Sequence, residues 1–538
     1  MTPNLLKWFE TPGPIGIVDI GSNSVRLVVY SGLARTPAVL CNEKVACGLG
    51  RALAANDGRL AGPSADRAFD AMRRFRALAH ERLGVATIVP FATAAVRRAS
   101  DGPWFLQRAS DILGVQVDLV SEEREAELAA FGVRAGFSAP RGVVGDLGGG
   151  SLELIPIDRD DIGAGRSLPI GALTLLAQTG GDPKRARKLV GTALETQLIT
   201  PAARGGWTPS DVALAKGRPF YAVGGTWRAI AKLHMAAMGY PLSILHAYKL
   251  PIEGLITFLR QIQYAPDIAK FPGVDRVSKS RTETLGMGAA LLERIVRHFE
   301  PSEVVISANG VRDGVLYERL PDAEKRQDPL LSACEDMARR RSRAVEYGHE
   351  LADWTDVLFG QLAAATGRAN MNGAHARMRR ASCLLNDVQW RAGPDMRAIN
   401  SVELVTNGRF VAVSHAERAF MARSLYHWYA GVGAHTEVVE RLSGLLSSEH
   451  NRDAQILGAA MRAAYALSLG QPRALPHAAI ALSPDLLTLT LDAPLHALVG
   501  ERVHSRFARL AKALTRSLRI ELRDRRGGAQ EWSLDGSA

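Results

Sequence analysis

Two short stretches of this 538-residue chain join an aspartate to a turn of the smallest residues. One reads Asp19-Ile20-Gly21-Ser22-Asn23-Ser24, the other Asp146-Leu147-Gly148-Gly149-Gly150-Ser151. Turns of Gly, Ser and Asn leave backbone N–H groups free to face an anion. Their small side chains let phosphate approach, and their hydroxyls add donors. An aspartate beside such a turn can hold a hydrated Mg2+ next to the phosphates. One such turn is weak evidence, because an ordinary hairpin has the same composition. Two matched copies, 127 residues apart, carry more weight. They suggest a cleft with one phosphate turn on each wall, clamping a polyphosphate from both sides.

Each turn lies between two β-rich apolar runs: IGIVDI and VRLVVY for the first, GVVGDL and LELIPI for the second. That layout predicts a strand–turn–strand hairpin at the start of each of two similar α/β lobes. The first lobe continues with a helix over 64–83, a strand over 85–91, a helix over 101–113 and a strand over 115–120. A helix over 121–136 then starts on Ser121 with an acidic first turn, which suits the helix dipole. The second lobe offers strand, Gly-Gly turn and helix at 220–233, a long helix at 281–299, and strand, turn and helix at 303–320. Strands and helices in this order predict α/β architecture. Beyond Pro321 the chain turns helical and rich in Ala, Leu and Arg; residues 486–523 read as a separate small module of strand, helix and strand. The expected domains are 1–135 and 136–323 for the lobes, 324–482 for a helical domain, 483–525 for the βαβ-type module and 526–538 for a frayed tail.

Composition narrows the classes. Apolar residues form 47% and charged residues 22%, which excludes global disorder. The net charge is +11, from 55 arginines and 11 lysines against 55 acidic residues. Such an excess attracts any polyanion, nucleic acid included, and the second lobe carries the largest share of it. Four sparse cysteines, with no CxxC pair, read as reduced thiols. The N-terminus lacks the layout of a signal peptide. The sixteen-residue uncharged run Leu233–Tyr248 is too short and too interrupted to span a bilayer. A soluble, cytoplasmic protein is the expectation.

Read in order, Asp19-x-Gly-Ser-Asn-Ser, Ala92-Thr-Ala-Ala-x-Arg97, Ser121…Glu125-Ala126, Asp146-x-Gly-Gly-Gly-Ser and Gly224-Gly225-Thr226 form a set. Leu245-His246-x-Tyr248, Ser280-Arg281 and Ser307-x-Asn309-Gly310-x-Arg312-x-Gly314 extend it. The set resembles the exopolyphosphatase / guanosine pentaphosphate phosphohydrolase (Ppx/GppA) family, within the actin-like, sugar-kinase and Hsp70 superfamily. The resemblance covers about residues 14 to 523. It implies two duplicated actin-like, ribonuclease H-like lobes around a cleft, followed by a helical domain similar to HD phosphohydrolases. The implied reaction removes terminal phosphate from linear inorganic polyphosphate, or the 5′ phosphate from guanosine pentaphosphate. A homodimer is a further implication, and recognition of specific nucleic acid is not expected.

Carried over position by position, Glu125 matches the family's catalytic glutamate, which would orient or deprotonate the attacking water. The local motif departs from the family pattern: Arg124 stands for Glu and Glu127 for Arg. Glu122, Glu123 and Glu127 compete with Glu125 on the residues alone. The phosphate-binding candidates are Ser22, Asn23, Ser24, Gly148, Gly149, Gly150 and Ser151, with Arg97 as a fork-shaped donor or else a surface arginine. Gly225 and Thr226 either touch a further phosphate or allow close packing of strand on helix. For Mg2+ or another divalent cation the candidates are Asp146, then Glu153, two residues beyond Ser151 on the same strand face. Asp19 either holds metal through water or fixes its turn.

In the helical region, Asn386-Asp387 stands where an HD enzyme has His-Asp. Asn is a poor transition-metal ligand, so no second metal centre is expected there. Arg339, Arg340, Arg341 and Arg343, with Arg377, Arg379 and Arg380, either line a polyanion path or form solvated faces. A sugar kinase, an actin-like ATPase and a non-catalytic polyphosphate or nucleotide sensor are the other classes weighed. Glu125, Asp146 and both turns argue against them.

Overall fold

The computed structural model of the protein describes residues 13–198, 207, 211–212, 215–368, 373–524 and 526–533. The stretch read for a leader, up to residue 12, lies outside them. The chain divides into two compact units, Met1–Tyr240 with Leu245–Gln327, and Pro241–Ile244 with Asp328–Ala538.

The first unit holds two mixed sheets. Strands β1 (Ile15–Ile20), β2 (Ser24–Tyr30), β3 (Val39–Ala46), β4 (Thr87–Ala92) and β5 (Asp118–Leu119) lie in the order β3-β2-β1-β4-β5. The second sheet contains β6 (Arg141–Leu147), β7 (Leu152–Asp158), β8 (Asp161–Ile162), β9 (Arg166–Leu168), β10 (Phe220–Val223), β11 (Lys249–Pro251) and β12 (Glu303–Ile306). Its order is β11-β12-β10-β6-β7-β8, with β9 also on β7. The run β9-β7-β6-β10-β12 repeats the first sheet's order and directions, antiparallel through the hairpin and parallel beyond it. The duplication seen in the turns is therefore a duplication of whole α/β lobes. Each sheet buries an apolar face: Val18, Ile20, Val25 and Leu27 in the first lobe, Val143, Leu152, Leu154 and Phe220 in the second.

Several elements differ from their sequence reading. The strand over 115–120 shrinks to Asp118–Leu119 with Val115 exposed, because β4 pairs with it only at Phe91 and Ala92. The helix over 64–83 is α-helical over Pro63–Ala77 and then widens into a π turn at Leu78–Arg82. The long helix over 281–299 is broken: a short turn at Lys279–Thr282 precedes the main helix, Leu285–Phe299. The Thr284 hydroxyl donates to Arg281 O at that break.

The helical unit is followed by a four-stranded sheet, β13 (Ala478–Leu482), β14 (Leu486–Asp492), β15 (Ser517–Arg523) and β16 (Ala529–Trp532), in sequence order. Helix Glu501–Ala513 crosses between the parallel pair β14 and β15. Residues 529–532, placed in a frayed tail by their sequence, are the edge strand. The reason is the glycine pair. Gly527 takes φ +89°, and the Asp524 carboxylate accepts the amides of Arg526 and Gly528, closing a hairpin.

Among the described residues every arginine of these runs except Arg341 meets a carboxylate. Arg340 meets Asp336 at 2.9 Å, Arg343 meets Asp387 at 2.7 Å, Arg377 meets Asp328 at 2.5 Å, and Arg379 and Arg380 meet Asp356 and Asp353 at 2.9 Å each. Arg339 pairs with Glu335. Asn386 is tied into packing: its side-chain amide donates to Cys383 O, and its backbone carbonyl accepts Trp428 Nε1 and the Tyr429 hydroxyl.

Candidate active site

Both hairpins close in the same way. Gly21 N–H donates to Ser24 O at 3.1 Å, and Gly148 N–H donates to Ser151 O at 3.0 Å. The turn carbonyls are used by the segments that follow: Ser22 O accepts Gly50 N, Asn23 O accepts Cys47 N and Gly48 N, and Gly149 O accepts Leu173 N and Thr174 N. Among the described residues the amides of Ser22, Asn23, Gly149 and Gly150 have no acceptor. Donors with their carbonyls tied back make an anion-binding edge. The two turns face one another: a Cβ built on Gly150 stands 3.8 Å from Ser22 Oγ, and one on Gly149 stands 3.8 Å from Ser22 Cβ.

The hairpin register decides what flanks each turn. Asp19 pairs with Arg26 across β1–β2, and Asp146 pairs with Glu153 across β6–β7. These are equivalent positions of the duplicated hairpin, so one lobe places a cation where the other places a carboxylate. Glu153 is 2% exposed and accepts Ser167 Oγ at 3.0 Å.

Glu125 sits in the first turn of helix Glu122–Gly136, with Ser121 Oγ capping Arg124 N at 3.2 Å. Its side chain is 14% exposed, and Arg97 reaches it at 3.3 and 3.4 Å. Its neighbours point elsewhere. Arg124 bridges Glu127 and Glu318, Glu122 lies at the rim 3.6 Å from Arg97, and Glu123 is exposed. The swapped charges at 124 and 127 thus satisfy one another and leave Glu125 alone facing inward. Arg97, read as a phosphate donor or else a surface arginine, is 17% exposed and turned onto Glu125.

The carboxylates act on each other. Burial pushes Glu125 up to about 7; Arg97 opposes this and Asp146 adds to it. Burial pushes Asp146 up to about 6, with Arg228 and Arg312 opposing and Asp19 adding. Glu153 is held well above the usual carboxylate range, first by burial and then by Glu125 and Asp146.

Facing them is a wall of cations that the sequence reading did not assign to the site. Arg312 Nη1 donates to Asp19 Oδ2 at 2.6 Å, and Asp19 holds that guanidinium above its ordinary value despite burial. Arg228 is lowered to about 10, by burial first and then by Arg312. Arg26 is lowered by burial and Arg312. Lys44 lies beside Arg26 across β2–β3 and opens to solvent, yet surrounding protein, then Arg281 and Arg26, lower it. Like charges held within reach of each other call for a polyanion between them. Arg26 had a faint signal, since it shares a strand face with Ser24; Lys44 and Arg228 had none.

Gly225 and Thr226 pack against Arg281. Thr226 is fully buried, with its hydroxyl 3.4 Å from Arg281 Nη1 and 3.5 Å from the Thr284 hydroxyl. A Cβ on Gly225 would lie 2.5 Å from Arg281 Nη2. The Gly-Gly-Thr turn seats Arg281 and offers no hydroxyl to a phosphate.

For a divalent cation the donor chemistry fits in part. Asp19, Asp146 and Glu153 are the hard oxygen donors Mg2+ prefers, and their mutual repulsion is what a cation relieves. Among the described residues no three His, Cys, Asp or Glu side chains stand close enough to hold an ion by themselves. Mg2+ commonly takes one or two carboxylates and completes its shell with water and substrate phosphates. The site fits a cation that arrives with phosphate.

Residues 28–323 match the Ppx/GppA phosphatase family, and residues 330–520 match "Exopolyphosphatase, C-terminal". The chain belongs to the Ppx/GppA phosphatase family. It is therefore a hydrolase. Exopolyphosphatase 1 of Mycobacterium tuberculosis is 29% identical over 57% of this chain and 88% of its own length. The guanosine-5′-triphosphate,3′-diphosphate pyrophosphatase of Vibrio atlanticus is 24% identical over 66% of this chain and 69% of its own. A solved exopolyphosphatase from Cytophaga hutchinsonii aligns with 56% of this chain and 96% of its own, at 22% identity and a TM-score of 0.49. No described helix is long and apolar enough to cross a membrane.

Proposed function

We propose that this Ppx/GppA phosphatase is an exopolyphosphatase that releases orthophosphate from the end of linear polyphosphate. The carrying observation is the cluster of Arg26, Lys44, Arg228, Arg281 and Arg312 around Asp19 and Asp146, the aspartates that lead the two open-amide turns. That is more positive charge than a single phosphate needs, and it suits a chain of them. Water attacks the terminal phosphorus in line with the departing phosphoanhydride oxygen. Glu125 accepts the water's proton, and Arg97 holds the carboxylate in place. The amides of Ser22, Asn23, Gly149 and Gly150 take the charge that grows on the phosphoryl oxygens. Asp146 and Glu153, with Asp19 through water, would hold Mg2+, which when bound neutralises phosphate charge.

The test is phosphate release from long polyphosphate and from guanosine pentaphosphate. Faster kcat/KM on long polyphosphate is expected. If the nucleotide is cleaved and polyphosphate ignored, the function is that of the Vibrio atlanticus relative. Because the base works ionised, kcat/KM should climb about tenfold per unit below pH 7 and flatten above it, following the Glu125 value of about 7. A flat profile between pH 5.5 and 8 contradicts that assignment.

A second cluster supports a chain substrate. In the helical unit Arg462 is lowered to about 10 by burial and then by Arg506, Arg509 and Arg502. Among the described residues no carboxylate pairs with Arg502, Arg506 or Arg509. Arg502→Glu with Arg506→Glu should raise KM for long polyphosphate roughly tenfold and leave guanosine pentaphosphate unaffected. Equal effects on both substrates count against a role in holding the chain.

A further inference from the structure

The second lobe carries a groove of about 380 Å3 that the cleft chemistry does not use. Helices Pro183–Ala193, Leu255–Gln263 and Leu285–Phe299 supply its walls. At its base lies Glu293, 1% exposed. Three guanidiniums converge on this carboxylate: Arg260 Nη2 at 3.0 Å, Arg297 Nε at 3.2 Å and Arg187 Nη1 at 3.9 Å. Gln263 Nε2 donates to it at 2.9 Å. One carboxylate cannot neutralise three guanidiniums.

Two more cations reach the same space. Arg294 lines it with a buried Nε that has no acceptor among the described residues, and its Nη2 reaches the exposed Glu195 only at 3.5 Å. Lys188 is exposed on the wall. The Arg294 placement depends on Gly191, where a Cβ would stand 2.5 Å from Arg294 Nη2. This groove keeps an excess of donors, of the forked type that fits phosphate oxygens. Its volume falls in the range of small-ligand sites.

We propose that this groove is a second binding site, separate from the catalytic cleft, for a compact multivalent phosphate anion. The anion is either a free short oligophosphate or the phosphate tail of a nucleotide. Glu293 gathers Arg260 and Arg297 into position, and Arg294 and Lys188 meet the ligand directly. Occupancy would bind the helix Pro183–Ala193 to the helix Leu285–Phe299 across Gly191.

Calorimetric titration of the full chain with methylenediphosphonate, which cannot be hydrolysed, tests this. Wild type is compared with Arg294→Gln/Lys188→Gln, which leaves Arg260, Arg297 and Gln263 on Glu293. The double variant should bind one equivalent fewer, or bind it roughly tenfold or more weakly. Its Tm and phosphate-release rate should match wild type. The proposal is read from the difference between the proteins, so a cleft that fails to bind the probe lowers both stoichiometries alike. Equal stoichiometry and affinity in the two proteins overturns it. A drop in Tm together with the lost equivalent also overturns it, by showing that the two residues only hold the helices together. Guanosine 5′-(β,γ-methylene)triphosphate binding roughly tenfold tighter than the bisphosphonate assigns the nucleotide source; equal affinity assigns the free anion.

Discussion

Glu125→Gln is expected to lower kcat by about 10²- to 10⁴-fold, the usual loss on removing a general base, with KM changed little. The amide keeps the shape and cannot accept the water's proton. Stability should move the other way. The folded protein raises Glu125 from 4.5 to about 7, so it holds this proton more tightly than the unfolded chain does. Stability contributed by the protonated group is full below the unfolded value and is lost as pH rises from about 4.5 towards 7. In the variant that decline disappears, and its Tm at pH 8 should equal or exceed that of wild type. Steady-state phosphate release and thermal melts at pH 5 and 8 check both parts. Full activity in the variant removes Glu125 from the mechanism; a lower Tm at pH 8 means the Arg97 pair outweighs the burial cost.

Gly314→Ala is expected to be severely damaging for a single added methyl. Helix Glu122–Gly136 carries Glu125, and helix Val311–Glu318 carries Arg312. They cross backbone to backbone: a Cβ on Gly314 would lie 1.8 Å from Leu128 O, and one on Gly132 would lie 2.3 Å from Gly310 O. Neither obstacle is a flexible side-chain end that could swing away, so the helices must separate. Overpacking of this kind costs about 3 kcal/mol or more, which lowers Tm by about 4 °C or more in a unit of this size. Separation also pulls Glu125 away from the wall, so kcat/KM should fall further than the loss of folded protein explains. Gly360→Ala is the control. Gly360 is exposed in helix Val345–Thr366, where a Cβ meets nothing within 4 Å. That change should stabilise by about 0.5–1 kcal/mol. A Gly314→Ala protein that melts like wild type contradicts the close crossing.

Both predictions depend on residues of different legibility. Glu125 could be placed from sequence because its surroundings are local: a serine cap, an acidic first turn and an ordered set of motifs around it. The Arg124 and Glu127 swap looked like a disturbance of that motif. It became harmless only when Glu318, far along the chain, was found to complete the ion pair. Arg97 was equally visible, but its partner was not. Whether a guanidinium faces phosphate or carboxylate depends on which element packs opposite it, and the chain-local pattern holds no record of that. The arginine runs in the helical unit left two readings open for the same reason. Consecutive arginines stood out in the sequence, yet among the described residues neighbouring carboxylates pair with all of the named ones but Arg341. The cluster of Arg462, Arg502, Arg506 and Arg509, with no carboxylate partner among the described residues, is instead spread over two helices.

By itself the sequence determined the two Asp-led turns, their duplication, the α/β class of both lobes, the helical region after them, and the identity of the inward glutamate as a short list of four. These follow from spacing over a few residues, which governs turns, strand alternation and helix caps. Tertiary structure alone decided the rest. It opposed Asp19 to Arg26 and Asp146 to Glu153 by strand register, buried Thr226 under Arg281, and brought Arg312 within 2.6 Å of Asp19 across 293 positions of chain. Register and packing are set by the fit of whole faces. The charges that face a substrate are therefore a property of the folded lobes, and no stretch of the chain read alone contains them.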